Sequence, residues 1–171
     1  RLDSMAKISN SFLLERLQAK FGDKILSSEE PYSMLTITAD QSINIEILDF
    51  LFKEADLQYQ FLTDICGIHY PDQALPLGVI YHVHSLVNNH RVRFKFFLPD
   101  HNPHIKTATT VYAGANWMER ETFDFYGIIF DGHPDLRRIL NVDEMVAFPM
   151  RKEFPLEDPN RIDKQDKFFG R

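Results

Sequence analysis

The sequence predicts an α+β fold, a mixed β-sheet with helices packed on one side, followed by an extended C-terminal arm. Two observations predict the sheet and the helices, since apolar residues recur at helical spacing in three segments and with a period of two in several others. The third observation is that residues 128–171 hold four prolines and two glycines with little periodicity. We therefore divide the chain into an α+β domain, residues 1–127, and an extended arm, residues 128–171.

The first half of the predicted domain contains two helices and a strand. The first helical pattern begins at Ser11 and ends before Gly22, a residue that commonly terminates helices. A strand is predicted over residues 32–39, where apolar and polar residues alternate. A turn over residues 40–42 precedes the second helix, whose apolar face is formed by Ile47, Leu48, Leu51, Phe52 and Ala55.

A β-hairpin is the clearest predicted element. It follows a strand predicted over residues 59–68, and its own strands span residues 79–87 and 90–98, joined by a two-residue turn of asparagines that tolerate positive φ. A three-residue turn would shift the pairing by one and bury two histidines, which the cost of burying polar rings disfavours. In the preferred register one face is apolar, and the other carries His82, His84, Arg91, Arg93 and Lys95.

The third helix is predicted over residues 107–126, with Gly127 as its stop. Its apolar stripe consists of Val111, Ala115 and Met118. Beyond Gly127 the periodicity is lost, and a long segment of this kind packs against something else rather than forming its own core. Such an arm is typical of a protein that works within a larger assembly.

The composition excludes several classes of protein. The formal net charge is −6 and the isoelectric point is near 5.6, so the chain lacks the positive field that draws proteins to nucleic acid. No apolar run reaches the length that spans a bilayer, so we expect membrane association to be peripheral. Cys66 is the only cysteine. One thiol builds neither a disulfide nor a four-cysteine iron–sulfur cluster, and we expect Cys66 to be buried and unreactive on its strand.

Motifs of the common cofactor and nucleophile sites are absent from the sequence. No Gly-x-Gly-x-x-Gly follows a predicted strand, and there is no Gly-x-x-x-x-Gly-Lys phosphate loop. The two-histidine motif of zinc proteases and the Gly-x-Ser-x-Gly nucleophile motif are also missing. These absences lower the expectation of an active site.

Seven histidines raise the alternative of a metal site. His82 and His84 lie two residues apart on a predicted strand and therefore point to one face. A third ligand would come from His69 or from the loop that contains His101 and His104. We favour the competing interpretation, surface or hydrogen-bonding histidines, because no carboxylate or thiol stands at ligand spacing.

Charged and aromatic residues are densest around the end of the third predicted helix, over residues 117–140. Three interpretations are open: a solvated helix face, the core of a protein interface, and a carboxylate pair for acid–base catalysis. We favour the interface, because aromatic residues and arginine are enriched at interface cores and arginine binds carboxylates bidentately. Catalysis ranks last because no nucleophile or cofactor motif accompanies the pair.

This run resembles the signature of the C subunit of the proton-pumping NADH:quinone oxidoreductase, respiratory complex I. The resemblance covers about residues 30–156 and includes the upstream hairpin. Its most specific part is the sequence Glu119-Arg120-Glu121, Phe123-Asp124 and Tyr126-Gly127, then Gly132-His133-Pro134-Asp135-Leu136-Arg137-Arg138-Ile139-Leu140, and finally Pro149-Met150-Arg151-Lys152-Glu153-Phe154-Pro155-Leu156.

The resemblance implies a cofactor-free scaffold subunit in the peripheral arm of the complex. Such a protein supports electron transfer from NADH to quinone, coupled to proton translocation, without an active site of its own. The iron–sulfur clusters and FMN are then held by partner subunits, and the implied neighbours are the quinone-site subunit and the terminal iron–sulfur subunit. The implied location is peripheral, on the cytoplasmic side of the bacterial inner membrane or the matrix side in mitochondria.

The resemblance also implies that the signature residues form the partner interface. We hypothesise that Glu119, Glu121 and Asp124 pair with Arg137, Arg138 or partner cations, and that residues 132–134 fix the bend that aims the arm. The predicted interface consists of Glu119, Arg120, Glu121, Asp124, Gly127, Gly132, His133, Pro134, Asp135, Arg137, Arg138, Arg151 and Lys152.

Two other functions remain open at this point. One is a subunit of a related membrane-bound hydrogenase or another quinone-linked dehydrogenase, which differs in its electron donor. The other is a stand-alone metallohydrolase that uses His82, His84 and a carboxylate. Stoichiometric zinc in the isolated chain would favour the hydrolase.

Overall fold

The computed structural model describes residues 8–154. The described chain contains helices α1 (Asn10–Phe21), α2 (Asn44–Lys53) and α3 (Ala115–Tyr126), and strands β1 (Ile25–Glu29), β2 (Leu35–Ala39), β3 (Phe61–His69), β4 (Leu77–Ser85), β5 (His90–Leu98), β6 (His104–Lys106) and β7 (Ile129–Asp131).

Five strands form one mixed sheet in the order β1-β2-β5-β4-β3. β2 and β5 run parallel, and the other neighbours in this sheet are antiparallel. β6 and β7 form a separate parallel pair. The predicted α+β class with a mixed sheet is confirmed.

The core lies on one face of the large sheet, where the helices pack. In β4, Val79 and Tyr81 are fully buried, whereas Ile80 and His82 on the opposite face are partly exposed. The helices contribute their apolar stripes to the same cluster, with Leu13 and Leu17 from α1 and Ile47, Leu48 and Leu51 from α2. Alternation along the strands therefore decides which side of the sheet the helices cover.

The hairpin has the predicted faces but not the predicted turn. Val83 pairs with Val92 and Ser85 with His90, so four residues connect the strands rather than two. The Asn88 side-chain amide donates to the Ser85 hydroxyl and to two backbone carbonyls in the loop before β3, which holds the wider connection. Because the register differs by an even number, each side chain keeps its face.

The third helix begins at Ala115, eight residues later than predicted. Residues 107–114 instead form turns that fold back over α3, and the backbone N–H of Ala108 donates to the Glu119 carboxylate at 2.6 Å. In a continuous helix these two residues would lie about 16 Å apart along the axis, so this hydrogen bond requires the chain to fold back before α3 begins.

Three strands were not predicted. β1 is an exposed edge strand with two serines, so it lacks an apolar alternation. β6 and β7 have only three residues each, too few for a period to show. β7 lies within the segment assigned to the arm, and Ile128 and Phe130 are buried in the core, so the packed structure continues to residue 131. The division at residue 127 stays a prediction, and residues 155–171 of the arm lie outside the described residues.

Within residues 8–154 no helix has the length and apolar character needed to cross a membrane.

Candidate functional site: the junction between α3 and the C-terminal arm

Asp124 is the centre of the junction between α3 and the arm. Its side chain is fully buried, and its Oδ2 accepts backbone N–H groups from Ile139, Leu140 and Asn141 at 2.8–3.1 Å. Its Oδ1 accepts from Arg138 Nη1 at 2.7 Å and from the Asn141 side chain at 3.1 Å. One carboxylate therefore organises three consecutive residues of the arm.

The pKa of Asp124 is held well below its usual range. Burial on its own would raise this pKa, but the hydrogen bonds from the Asn141 backbone, the Arg138 guanidinium and the Leu140 backbone outweigh it. The carboxylate is therefore ionised throughout the physiological range, and the arm is attached to a fixed negative charge.

Arg138 extends the junction toward residues 145–148. Besides the ion pair, its Nη1 donates to the Asp124 backbone carbonyl, and its Nη2 donates to the carbonyls of Met145 and Ala147. The guanidinium also lies 5.2 Å from the ring centroid of Phe148. The planar group thus satisfies carbonyls of a segment without regular structure, a role that lysine cannot fill.

The Arg120 side chain binds the backbone of the arm. Its Nε donates to the Arg137 carbonyl at 3.1 Å and its Nη2 to the Arg138 carbonyl at 2.9 Å. The guanidinium also lies 5.7 Å from the ring of the exposed Trp117. Because both acceptors are backbone carbonyls, Arg120 positions the backbone of Arg137 and Arg138 whatever groups their side chains bind.

Glu119 is a second buried carboxylate on α3, on the side opposite the arm's ion pair. Its oxygens accept from the Thr107 hydroxyl at 2.5 Å and from the Ala108 N–H. The His133 Nε2 lies 4.0 Å away and donates to the Asn116 carbonyl, while Nδ1 accepts from the Asp135 N–H. Burial raises the pKa of Glu119 to about 7, against the effect of its hydrogen bonds from Thr107 and Ala108.

Gly127 permits the chain to leave α3 beneath the arm. Its φ is +74°, and a Cβ there would lie 2.5 Å from the ring of Phe148. Arg151, whose guanidinium also lies against that ring, donates to the Tyr126 carbonyl at 2.8 Å and to Asp100 at 3.2 Å. Close backbone approach and the left-handed conformation together require glycine.

The remaining predicted interface residues are mainly exposed. Arg137 forms an ion pair with Asp135 at 2.9 Å in which both side chains are more than half exposed. Of the two arginines named as alternative partners of the helix carboxylates, Arg138 is the one that pairs with Asp124 among the described residues, whereas Arg137 pairs with Asp135. Gly132 has φ +83° at the predicted bend. The others with exposed positions are Glu121, Pro134 and Lys152.

Two of the histidines considered for metal binding, His82 and His69, bind other groups. His82 Nε2 accepts from Arg93 at 2.8 Å, and His69 Nδ1 accepts from the Lys152 N–H at 2.9 Å.

Burial, followed by the charge of Asp64, raises the pKa of the Cys66 thiol to about 11. Over residues 8–154 no three histidine, cysteine or acidic side chains are grouped as metal ligands require.

Several residues of the junction were not identified from the sequence. Thr107, Ala108, Asn141 and Phe148 each contact a signature residue, yet they lie outside the charged run. Backbone donors leave no mark in a sequence, so only the asparagine after Leu140 offered a signal, since asparagine commonly stabilises turns.

A family model described as "Respiratory-chain NADH dehydrogenase, 30 Kd subunit" matches residues 37–160. The chain belongs to this family. It is 38% identical over 165 residues to the NADH-quinone oxidoreductase C subunit of Roseiflexus sp. (strain RS-1), a match that covers 95% of each chain. It is also 42% identical to the corresponding C subunit of Caulobacter vibrioides, over 77% of this chain and 66% of that one.

Solved structures show the same fold. The structure titled "Nqo5 of the trypsin-resistant fragment (1-134)" superposes with a TM-score of 0.64 at 29% identity, over 74% of this chain and 98% of that one. A chain from the archaeal membrane-bound sulfane sulfur reductase, described as a respiratory membrane complex, superposes with a TM-score of 0.72 at 17% identity, over 92% and 98%. The family of this chain, the 30 Kd subunit of respiratory-chain NADH dehydrogenase, is therefore the one that the signature residues predicted.

Proposed function

We propose that this chain is a cofactor-free scaffold subunit in the peripheral arm of an NADH:quinone oxidoreductase. It supports electron transfer from NADH to quinone, coupled to proton translocation, by holding its neighbours in place. Its neighbours are the quinone-site subunit and the terminal iron–sulfur subunit, and it lies on the cytoplasmic side of a bacterial inner membrane, or the matrix side in mitochondria. Family membership supports the complex, and the junction supports the scaffold role.

One observation carries the scaffold role: residues 137–151 are held through hydrogen bonds to the backbone, while six apolar side chains of residues 139–154 are exposed. Among residues 8–154, 15 large apolar side chains are exposed and six of them lie in residues 139–154, so the exposure in this part of the chain is concentrated on the arm. Val146 is 95% exposed and Val142 63%. Concentrated apolar exposure marks protein–protein interaction sites.

Four charge-assisted contacts keep this apolar surface in one shape before a partner binds. They are the Asp124–Arg138 ion pair, the Arg120 contacts to two carbonyls, and the Arg151 contact to the Tyr126 carbonyl. A segment that is ordered in advance loses less conformational entropy on binding. We call Ile139, Leu140, Val142, Val146, Met150 and Phe154 the arm patch.

The cofactor-free role is supported by the chemistry of the side chains. Iron–sulfur clusters are held by several cysteine thiolates, and this chain has one cysteine. We therefore assign the iron–sulfur clusters and FMN to partner subunits.

Genetic complementation tests this function. In a host that lacks this protein, the wild-type chain should restore NADH:quinone reductase activity to isolated membranes, and Cys66→Ser should restore it equally. Failure of the wild type to restore activity would refute the assignment to this complex. Loss of activity or of cluster signals in Cys66→Ser alone, with normal assembly, would refute the cofactor-free role.

A further inference from the structure

A cavity of about 380 Å³ opens between the edge strand β3 and helix α3, and Met150 of the arm patch also lines it. Its lining is more apolar than polar. The side chains that define it are Asp64, Cys66, Glu121, Phe125, Tyr126 and Met150. Its volume lies within the range of small binding pockets.

Among residues 8–154, no lysine or arginine lies within 4.0 Å of the two carboxylates at this cavity, Asp64 and Glu121. Asp64 lies 3.7 Å from His82 Nδ1, but His82 Nε2 accepts a hydrogen bond from Arg93, and burial, followed by the charge of Arg93, lowers the pKa of that histidine. Glu121 is exposed, and none of the ion pairs within 4.0 Å among residues 8–154 includes it. The cavity therefore combines an apolar lining with two carboxylates that form no ion pair with lysine or arginine among residues 8–154.

We propose that this cavity receives an arginine side chain from a partner subunit of the complex. An arginine places its aliphatic stem along apolar surface and its charged end in polar surroundings, which fits Phe125 and Met150 beside Asp64 and Glu121. Its guanidinium also binds aromatic faces and carboxylates together. This inference rests on the proposed function, because it needs a neighbouring protein of the complex.

A metal ion fits the cavity less well. Among the described residues no three ligating side chains are grouped, and the apolar lining would not replace the water shell of a hard cation. A long organic cation can contact the apolar lining with its stem and the carboxylates of Asp64 and Glu121 with its charged end.

Cys66 offers a direct report on whether the cavity is filled. It lines the cavity and is the only cysteine of the chain, and it is partly exposed rather than buried as the sequence predicted. An occupant would block its access to a neutral alkylating reagent. The same thiol can be followed in the isolated full chain and in the assembled complex.

The test compares the rate at which N-ethylmaleimide labels Cys66 in the two states, at one pH, by mass spectrometry. We expect labelling in the complex to be at least about tenfold slower than in the isolated chain. Equal rates, with the chain present in the complex, would overturn this inference and leave the proposed function standing. Absence of the chain from the complex would refute both.

Variants identify the charge of the occupant. Because Glu121 also raises the pKa of the Cys66 thiol, each variant's complex is compared with the same variant's isolated chain. Glu121→Lys should bring the two labelling rates of Cys66 to within about threefold of each other, and Glu121→Gln should narrow the difference less. Glu15→Lys is the matched control, since it reverses the charge of an exposed glutamate within α1, and should leave the protection intact. Protection that survives Glu121→Lys would overturn a cationic occupant.

Discussion

Asp124 Oδ1 and Arg138 Nη1 lie 2.7 Å apart, and at most 9% of either side chain is exposed. This pair joins α3 to the arm, and it is the interaction on which the shape of the arm patch depends. Removing one partner of a buried ion pair leaves the other charge uncompensated, which is more costly than losing the attraction itself.

Arg138→Met should lower the free energy of unfolding by about 3–5 kcal/mol. The substitution removes the cation and three donors to backbone carbonyls while keeping a long side chain beside Phe148. Urea denaturation of the isolated chain measures the change. Arg137→Met is the matched control, and because that ion pair is largely exposed, it should cost no more than about 1 kcal/mol. Equal losses of unfolding free energy in the two variants would contradict the claim that the buried ion pair stabilises the fold more than the exposed one.

Acid should weaken the junction through Asp124. Its folded-state pKa is lowered, so the folded chain binds fewer protons than the unfolded chain as acid is added. Its stabilising contribution is fully present above the ordinary aspartate pKa, near 3.8, and is lost as the pH falls below it. Asp124→Asn should therefore flatten the fall in unfolding free energy below pH 4, measured by urea titration. An unchanged slope, equal to that of the exposed Asp72→Asn control, would contradict this.

Glu119 should make the chain less stable as the pH rises, the opposite of the effect of Asp124. Its pKa is raised to about 7, so its protonated form is favoured in the folded chain. The corresponding stability is fully present below the ordinary value of 4.5 and is lost as the pH rises through about 7. The unfolding free energy should fall by on the order of 3 kcal/mol over that interval. Glu119→Gln should make the unfolding free energy less dependent on pH between 5 and 8, whereas Glu15→Gln should leave that dependence unchanged.

Gly127→Ala should destabilise the chain more than Gly132→Ala. Both glycines have a positive φ, but an added Cβ at Gly127 lies 2.5 Å from the ring of Phe148, whereas at Gly132 the nearest atom is a Thr107 methyl carbon at 3.5 Å. A positive φ costs a non-glycine residue about 1–2 kcal/mol, and the collision at Gly127 adds roughly 1–3 kcal/mol. Thermal unfolding of the two variants separates these terms. A similar shift in both would mean that Phe148 moves away freely.

Periodicity predicted the parts of the fold that repeat. Apolar alternation placed the faces of β4 and β5 correctly because a side chain's face depends only on whether its position is odd or even. It did not predict the four-residue connection, which is held by Asn88 contacts to distant carbonyls. It also placed the start of α3 too early, because the Ala108 N–H donates to Glu119, a residue three turns further on that it could not reach in a continuous helix.

The candidate site was predicted in composition but not in pairing. The charged run correctly included both members of the Asp124–Arg138 pair, yet the choice between Arg137 and Arg138 depends on how the backbone turns after Gly132, which no residue spacing encodes. Asn141 lies next in sequence to the signature, and its N–H completes the set of donors to Asp124. Backbone donors depend on conformation rather than on residue type, so only the structure identifies them.

The arm patch is the part of the molecule on which the scaffold role depends, and its exposure makes a direct test feasible. Asp substitutions at Val142 and Val146 should leave the unfolding free energy of the isolated chain within about 0.5 kcal/mol of wild type, since both side chains point to solvent. Leu26 and Leu86 are also more than half exposed and lie outside the arm, so their double Asp variant is the matched control.

The most direct measurement is the amount of tagged chain that copurifies with NADH:quinone reductase activity from mildly solubilised membranes. We predict that wild type and the Leu26/Leu86 variant copurify equally, and that the Val142/Val146 variant falls by at least about tenfold while remaining folded. Undiminished copurification of the Val142/Val146 variant would contradict the claim that this chain serves as a scaffold through its C-terminal arm.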